Sequence, residues 1–310
     1  MQENELLLRG ILADHKTDML VALYNRTFEE QDIPVLKHIV QMLNEHGLQM
    51  VFFKDFYERI APHIQLTYTP RLFTGKKDLP ANTDMCFSLG GDGTLLDTVC
   101  FVGNSNIPLI GINLGRLGFL AAIPEEEVDG AILSLVRGSY TLEKRTLLHL
   151  DSSIPLFDGA PFALNEFTIN RKDSSSMIKI HTYLNGEFLN TYWADGLIVA
   201  TPTGSTGYSL SCNGPVVFPQ TSSFVITPVA PHNLNTRSIV VPDDNVISFE
   251  VEGRTEQFLC TLDSRTETIT SNVQLAVKKE QFTISLVRPD EHNFLKTIRQ
   301  KLYWGIDRRN

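Results

Sequence analysis

Long apolar runs are missing from this chain: nowhere in its 310 residues does an uninterrupted hydrophobic stretch approach the roughly 20 residues that a membrane helix needs. The opening MQENELLLRGILADHK lacks both the basic region and the apolar stretch of a signal peptide, so a cytoplasmic protein with no membrane partner is expected. Basic charge is also short, since 27 Lys and Arg against 36 Asp and Glu leave a formal net charge of -9. A surface that neutralises a nucleic-acid backbone needs the opposite excess, and nucleic acid is therefore not an expected partner. A phosphorylated small molecule stays allowed, because backbone amides bind phosphate without net positive charge. Cysteine is sparse: Cys86, Cys100, Cys212 and Cys260 form no C-x-x-C pair, which speaks against a zinc site or disulfide framework and predicts buried free thiols. Tandem repeats and low-complexity linkers are absent too. The triplet Asn25-Arg26-Thr27 matches a glycosylation pattern, but without a route to secretion it carries no weight.

What is present is an ordinary globular composition, 42% apolar and 20% charged, in a chain long enough for two cores. The apolar run at 19–24 predicts a strand, Leu36, Ile39, Val40 and Leu43 predict a helix that stops at Gly47, and LQMVFF at 48–53 predicts a second strand. Strand, helix, strand in so few residues is the mark of a parallel crossover unit. The pattern resumes with MCFSL at 85–89, a glycine-rich turn, a helix over 94–102 and the apolar run from Ile107 to Ile110. After residue 145 the helical period fades. Runs such as MIKIHTYL, FLNTYWA, GLIVAT, SIVV, VISFEV, QFLCTL and FTISLV predict a mostly β second half, with Asn185-Gly186 as a type I′ hairpin turn. A closing helix is predicted to share Phe294, Leu295, Ile298 and Leu302 on one face before Trp304 and Gly305.

The sharpest local signal is Gly90-Gly91-Asp92-Gly93-Thr94, placed after a strand and before a helix. Glycines there let the backbone approach an anion, and the start of the helix favours phosphate. An acid inside such a loop repels phosphate unless a cation intervenes or it has a proton to accept, which points Asp92 to a catalytic or metal-linked role. The plainer reading makes Asp92 a simple turn residue. A second cluster, Gly111-Ile-Asn-Leu-Gly-Arg-Leu-Gly118-Phe-Leu, lacks the G-x-G-x-x-G order and reads first as a structural loop. The stretch from Asp195 to Ser211 carries six Ser or Thr hydroxyls from Thr201 onward and one tyrosine, a lining that suits a nucleoside and equally suits a polar turn.

Taken together these segments resemble the NAD kinase family. Its pattern joins a GGDGT loop (Gly90 to Thr94), a glycine-rich segment (Gly111 to Leu120), an Asn-Glu pair (Asn165-Glu166), a D-G stretch with T-P-T-G-S-T (Asp195-Gly196, Thr201 to Ser211) and T-P-x-x-P-H (Thr227 to His232). All five occur in order, and the ending FLKTIRQKLYWG is similar as well.

The resemblance implies an α/β N-terminal domain with a Rossmann-like parallel sheet, residues 1–144 plus 288–310, and a β-rich NAD-binding domain, residues 145–287. The final segment would pack back on the first domain. It implies transfer of the γ-phosphoryl group of ATP to the 2′-hydroxyl of the adenosine ribose of NAD, with Mg²⁺ or another divalent metal, in a homo-oligomer, dimer or tetramer. Asp92 would be the base. Gly90, Gly91, Gly93 and Thr94 would hold phosphates; NAD would lie against Asp92, Gly93, Asn165, Glu166, Asp195, Thr206, Gly207, Tyr208, Ser209, Leu210 and Ser211. His232 is a further candidate that fits a structural histidine equally well. Two positions depart from the family: Gly207 replaces the usual alanine, and Trp193 stands at a variable position that bears on donor choice. A lipid kinase of the diacylglycerol or sphingosine type shares the GGDGT loop but lacks the T-P-T-G-S-T stretch; a non-catalytic dinucleotide sensor would have no use for Asp92.

Overall fold

The computed structural model describes residues 19–115, 118–173, 176–254, 256–289 and 294–304. The chain divides into two compact units: one runs up to Glu143 and is rejoined from Ser285 onward, and the other is Lys144–Ile284.

In the first unit the strands β1 (Leu20–Tyr24), β2 (Gln49–Phe53), β3 (Arg71–Phe73), β4 (Met85–Leu89) and β5 (Leu109–Ile112) pair in parallel, in the order β5-β4-β1-β2-β3. The end of the last strand, β17 (Leu275–Pro289), joins β5 in parallel, with Leu286 opposite Leu109. Strands β1 and β4 are buried along their whole length, which is why both read as unbroken apolar runs. Helix α1 (Ile33–Glu45) buries Val35, Leu36, Ile39, Val40 and Leu43, the helical stripe seen in the sequence, and Gly47 at φ +75° follows its end. Helix α3 (Asp92–Val102) starts two residues earlier than expected, so Asp92 and Gly93 lie in its first turn. Helices α2 (Lys54–Ile60) and α4 (Val128–Val136) escape the sequence reading. One buries only Phe56 and Ile60; the other buries Val128, Ala131, Ile132 and Leu135 at helical spacing and exposes Asp129 and Gly130. Helix α6 (Phe294–Leu302) packs on this unit through buried Ile298, an ion pair of Lys296 with Glu127 at 3.5 Å, and Lys301 over the Phe119 ring. Leu295 does not share that face, since it is 50% exposed, and Gly305 lies outside the described residues.

The second unit is a pair of sheets. One has the order β10 (Glu187–Ala194), β9 (Ile178–Leu184), β14 (Ile247–Glu252), β17, with β6 (Tyr140–Ser152) also on β17 and β7 (Phe162–Ala163) on β6. The other runs β13 (Ile239–Pro242), β12 (Ser223–Val229), β11 (Gly196–Ala200), β8 (Glu166–Arg171), β15 (Gln257–Leu262), β16 (Arg265–Thr270), antiparallel throughout. Phe167, Ile169, Phe224 and Phe258 of the second sheet share one core with Ile180, Tyr192 and Phe249 of the first. Asn185 and Gly186 have φ of 50° and 84°, the positive pair that a type I′ turn requires between β9 and β10.

All four cysteines are free, as expected, but only Cys86 and Cys260 are buried; Cys100 and Cys212 are half-buried. Among the described residues no helix is long and apolar enough to cross a membrane. Asn25, dismissed above as a chance triplet, is fully buried at the end of β1. Its Nδ2 donates to the Leu89 carbonyl at 2.7 Å, and its Oδ1 accepts from Arg59 at 3.2 Å. That amide ties the last residue of β4, where the glycine loop begins, to the neighbouring strand. Asn25→Ala leaves the Leu89 carbonyl buried without this donor, and chemical denaturation is expected to show a loss of about 1–3 kcal/mol.

Candidate active site

The loop after β4 is built around one obligatory glycine. Gly90 has φ +149°, and a Cβ there would lie 2.4 Å from Thr94 Oγ1. Beneath it Thr94 is buried, and its carbonyl accepts the Thr98 hydroxyl at 2.8 Å. Gly91 and Gly93 are different: a Cβ on either would meet nothing within 4 Å, and both are exposed. Internal packing does not require these two glycines. Their bare backbone leaves the entrance of α3 open to an incoming group.

The Asp92 carboxylate is anchored from one side. Its Oδ2 accepts the Phe119 N–H at 2.9 Å, and its Oδ1 accepts those of Leu120 at 3.1 Å and Ala121 at 2.9 Å. Three consecutive amides thus balance the charge that looked awkward in the sequence. The second glycine cluster makes this possible. A Cβ on Gly118 would sit 1.8 Å from Asp92 Oδ1, and one on Gly111 would sit 2.8 Å from the Ala121 Cα. The two glycine motifs of the first unit are therefore one structure.

The same device recurs in the second unit around a residue that the sequence reading passed over. Asp263, in the turn between β15 and β16 at φ 52°, accepts the N–H groups of Leu164 at 2.8 Å, Asn165 at 2.8 Å and Glu166 at 3.1 Å. It is half-buried, and desolvation raises its pKa against the lowering effect of the three amides. The Glu166 carboxyl receives the Tyr208 N–H, while its Oε2 and the Asn165 Oδ1 are buried without a partner. Burial first, and the Asp263 charge second, push the Glu166 pKa up to about 8. A buried carboxyl oxygen without a partner, on a group whose charge burial disfavours, marks this position as unusual.

The hydroxyl-rich stretch is less of a donor lining than its composition suggests. Thr201 bonds the Leu164 carbonyl at 2.6 Å, Ser205 bonds the Pro202 carbonyl at 2.7 Å, and Ser209 shares a 2.9 Å bond with Thr227; all three are fully buried. Thr206 turns its hydroxyl back to the Thr203 carbonyl at 3.1 Å. The Ser209 side chain lies in the interior. Gly204 is needed where a Cβ would lie 2.1 Å from the Asn165 carbonyl oxygen, and a Cβ on Gly207 would stand 3.0 Å from Glu166 Oε2. The turn carrying Thr206, Gly207 and Tyr208, which opens the short helix α5 (Tyr208–Ser211), is therefore brought onto the Asn165-Glu166 pair. Tyr208 is 39% exposed, Leu210 half-buried and Ser211 exposed. The Asp195 carboxylate meets Arg171 at 3.0 Å, and its charge, like that of Glu166, acts on the Tyr208 phenol. His232 is elsewhere, against Trp193, with ring centroids 4.9 Å apart. Gly90 to Thr94 belong to the first unit and all the other candidates to the second.

Comparison with known proteins adds the family. A model of the ATP-NAD kinase N-terminal domain matches residues 20–140, and one of the ATP-NAD kinase C-terminal domain matches residues 164–288. The NAD kinase of Cytophaga hutchinsonii is 52% identical over 94% of this chain and 100% of its own length, and that of Bacteroides fragilis strain YCH46 is 40% identical over 94% and 100%. Among solved structures, a yeast NADH kinase complexed with NADH superposes with a TM-score of 0.83 at 25% identity, covering 94% of this chain and 89% of that one. An NAD kinase from Archaeoglobus fulgidus in complex with ATP, at 23% identity and a TM-score of 0.73 over 92% and 99%, shares the fold. The protein is by these matches a nucleotide-dependent phosphotransferase. It belongs to the NAD kinase family.

The raised Glu166 pKa fixes the sign of a pH effect. Between its ordinary 4.5 and about 8, the folded chain keeps a proton that the unfolded chain has lost, so stability falls as pH rises through that window. Glu166→Gln, which cannot ionise, is expected to melt with a flatter pH dependence from pH 5 to 8 and to be the more stable protein at pH 8. Parallel curves for the two proteins in scanning calorimetry would show that Glu166 titrates normally.

Proposed function

We propose that this chain transfers the γ-phosphoryl group of ATP to the 2′-hydroxyl of the adenosine ribose of NAD, giving NADP and ADP. The observation that carries the reading is the pairing of an open glycine entrance at Gly91 and Gly93 with an anchored carboxylate at Asp92, in a chain of this family. The Gly90 to Thr94 loop of the first unit receives the donor phosphates on its amides. Asp92 takes the proton of the ribose hydroxyl as that oxygen bonds to the γ-phosphorus and the bond to the ADP oxygen breaks. Its Oδ2, which accepts a single amide, keeps a lone pair for this.

The second unit is the dinucleotide-holding one in this reading. Asn165 Oδ1 and Glu166 Oε2, buried and unpartnered, suit ribose hydroxyls, which both donate and accept. Gly207 and Tyr208 beside them supply backbone and a stacking face, and Thr206, Leu210 and Ser211 flank that surface. Asp195, fixed by Arg171, and His232 are secondary candidates. A divalent cation, Mg²⁺, would neutralise the charge on the transferred phosphoryl group. A cytoplasmic homo-oligomer, dimer or tetramer, completes the proposal on the strength of the family resemblance.

Incubating the purified protein with ATP, Mg²⁺ and NAD should yield NADP by mass; phosphorylation of diacylglycerol at a comparable rate would overturn the assignment. Excess EDTA should abolish that turnover without moving the melting temperature of the ligand-free protein. A drop in melting temperature on chelation would reveal a structural ion.

Asp92→Asn probes the base. It is expected to lower kcat by roughly 10²–10⁴-fold while the calorimetric Kd for NAD changes by less than about tenfold. The amide also places an NH₂ against the Phe119 to Ala121 N–H groups, so a stability loss of about 1–3 kcal/mol should accompany it. Near-normal kcat would remove Asp92 from the chemistry, and complete loss of NAD binding would make it a substrate-holding residue instead.

A further inference from the structure

Arg26, the middle residue of the triplet set aside in the sequence, stands where the parallel sheet of the first unit reverses its strand order. In the order β5-β4-β1-β2-β3 the chain leaves β1 toward β2 on one side and leaves β4 toward β5 on the other. Open parallel sheets bind ligands in the crevice outside the carboxyl ends of two such neighbouring strands. One lip of this crevice is the glycine loop after β4, and the other is Asn25 and Arg26 after β1. Tyr24 pairs with Ser88, so the register carries Arg26 out toward Gly90, on strands about 5 Å apart.

The direction of the side chain is settled as well. Tyr24 sets its ring 4.8 Å from that of Phe101 on α3, and alternation puts Arg26 on the same face. The Arg26 guanidinium reaches Asp97 of α3 at 3.2 Å, yet 59% of the side chain stays in solvent, which leaves donors for a second anion. Asp97 follows Gly93 by four residues, so it lies one turn, about 5.4 Å, along the same helix face from the bare Gly93 backbone. An exposed pair of this kind adds little to stability, so packing does not account for it. The loop from Gly90 to Thr94 has no basic side chain of its own, whereas phosphoryl transfer draws on cationic groups around the phosphates. On the other flank of the loop, Asn113 is 2% exposed and its Nδ2 has no hydrogen-bond partner. It shares a strand face with Gly111, where a Cβ would lie 2.7 Å from Leu95 of α3, so this unused donor also lies on the α3 side of the crevice.

We propose that Arg26 meets the terminal phosphates of ATP at the glycine loop, exchanging the Asp97 carboxylate for them. This rests on the reading of that loop as the donor site. Arg26→Ala should raise the calorimetric Kd for ATP with Mg²⁺ about tenfold and lower kcat/KM for ATP about 10–100-fold, while the Kd for NAD changes by less than about twofold. Arg26→Lys keeps the charge but loses the planar fork, and it should recover part of the loss. Asp97→Asn breaks the same ion pair and leaves the guanidinium in place, so that protein should bind ATP at least as tightly as the unsubstituted one.

Three results would overturn the proposal: an ATP Kd that Arg26→Ala leaves unchanged, a loss that falls on NAD instead, which would give the guanidinium to the acceptor's phosphates, or an equal loss in Asp97→Asn, which would make the ion pair a structural one. NADP formation by the unsubstituted protein is scored separately by mass. NADP made with an ATP Kd indifferent to Arg26 rejects this residue and leaves the reaction standing. No NADP, with an ATP Kd that still depends on Arg26, rejects the reaction and keeps the contact.

Discussion

A carboxylate that grips three consecutive backbone amides is the contact on which both candidate sites depend. Asp92 does this to Phe119, Leu120 and Ala121, and Asp263 does it to Leu164, Asn165 and Glu166. Three N–H groups in a row cannot all be satisfied by a strand ladder, in which successive amides point to opposite sides. A single buried or half-buried anion solves the problem and orders the segment at the same time. Charge-assisted bonds of this kind are about twice as strong as neutral ones, so each segment is fixed more firmly than a loop of its length would otherwise be.

The cost of that contact falls on the neighbours. Gly118 has to be bare because the Asp92 carboxylate occupies the space of its Cβ, and Gly204 has to be bare because the Asn165 carbonyl does the same. Around Asp263 the cost is electrostatic: a second carboxyl, Glu166, lies close enough that burial and repulsion together keep its proton on. One anion therefore shapes the backbone of the site and sets the ionisation of the group beside it. The two effects have one cause.

The glycine motifs were legible because glycine is a statement about local backbone, and a local statement survives in a single sequence. Strands buried on both faces, such as β1 and β4, were legible for the same reason, as was the Asn185-Gly186 turn. What could not be read was pairing across the chain. Asp263 sits 97 residues or more from the amides it holds, in an ordinary-looking Leu-Asp-Ser-Arg turn, and only its positive φ marks the position as unusual. Asn25 was hidden likewise, 64 residues from the carbonyl it serves. The hydroxyls from Thr201 to Ser211 left two readings open, because composition cannot distinguish a hydroxyl that faces a ligand from one that closes a turn. Helix α2 was missed because too few of its positions are apolar for a period to show, whereas the helical spacing of Val128, Ala131, Ile132 and Leu135 in α4 was legible and passed over.

The chain enters the second unit after Glu143 and returns to the first at Ser285, and this route sets an order of synthesis. A ribosome completes Lys144–Ile284 before it has made the last strand segment of the first unit. Until Leu286 emerges, β5 lacks its outer partner at Leu109, although Ile123 already bridges its far end at Ile112. The N-terminal unit is begun first and finished last. During translation its exposed edge is a hazard for pairing with other nascent chains, and the interval lasts for the time needed to make the whole of the other unit.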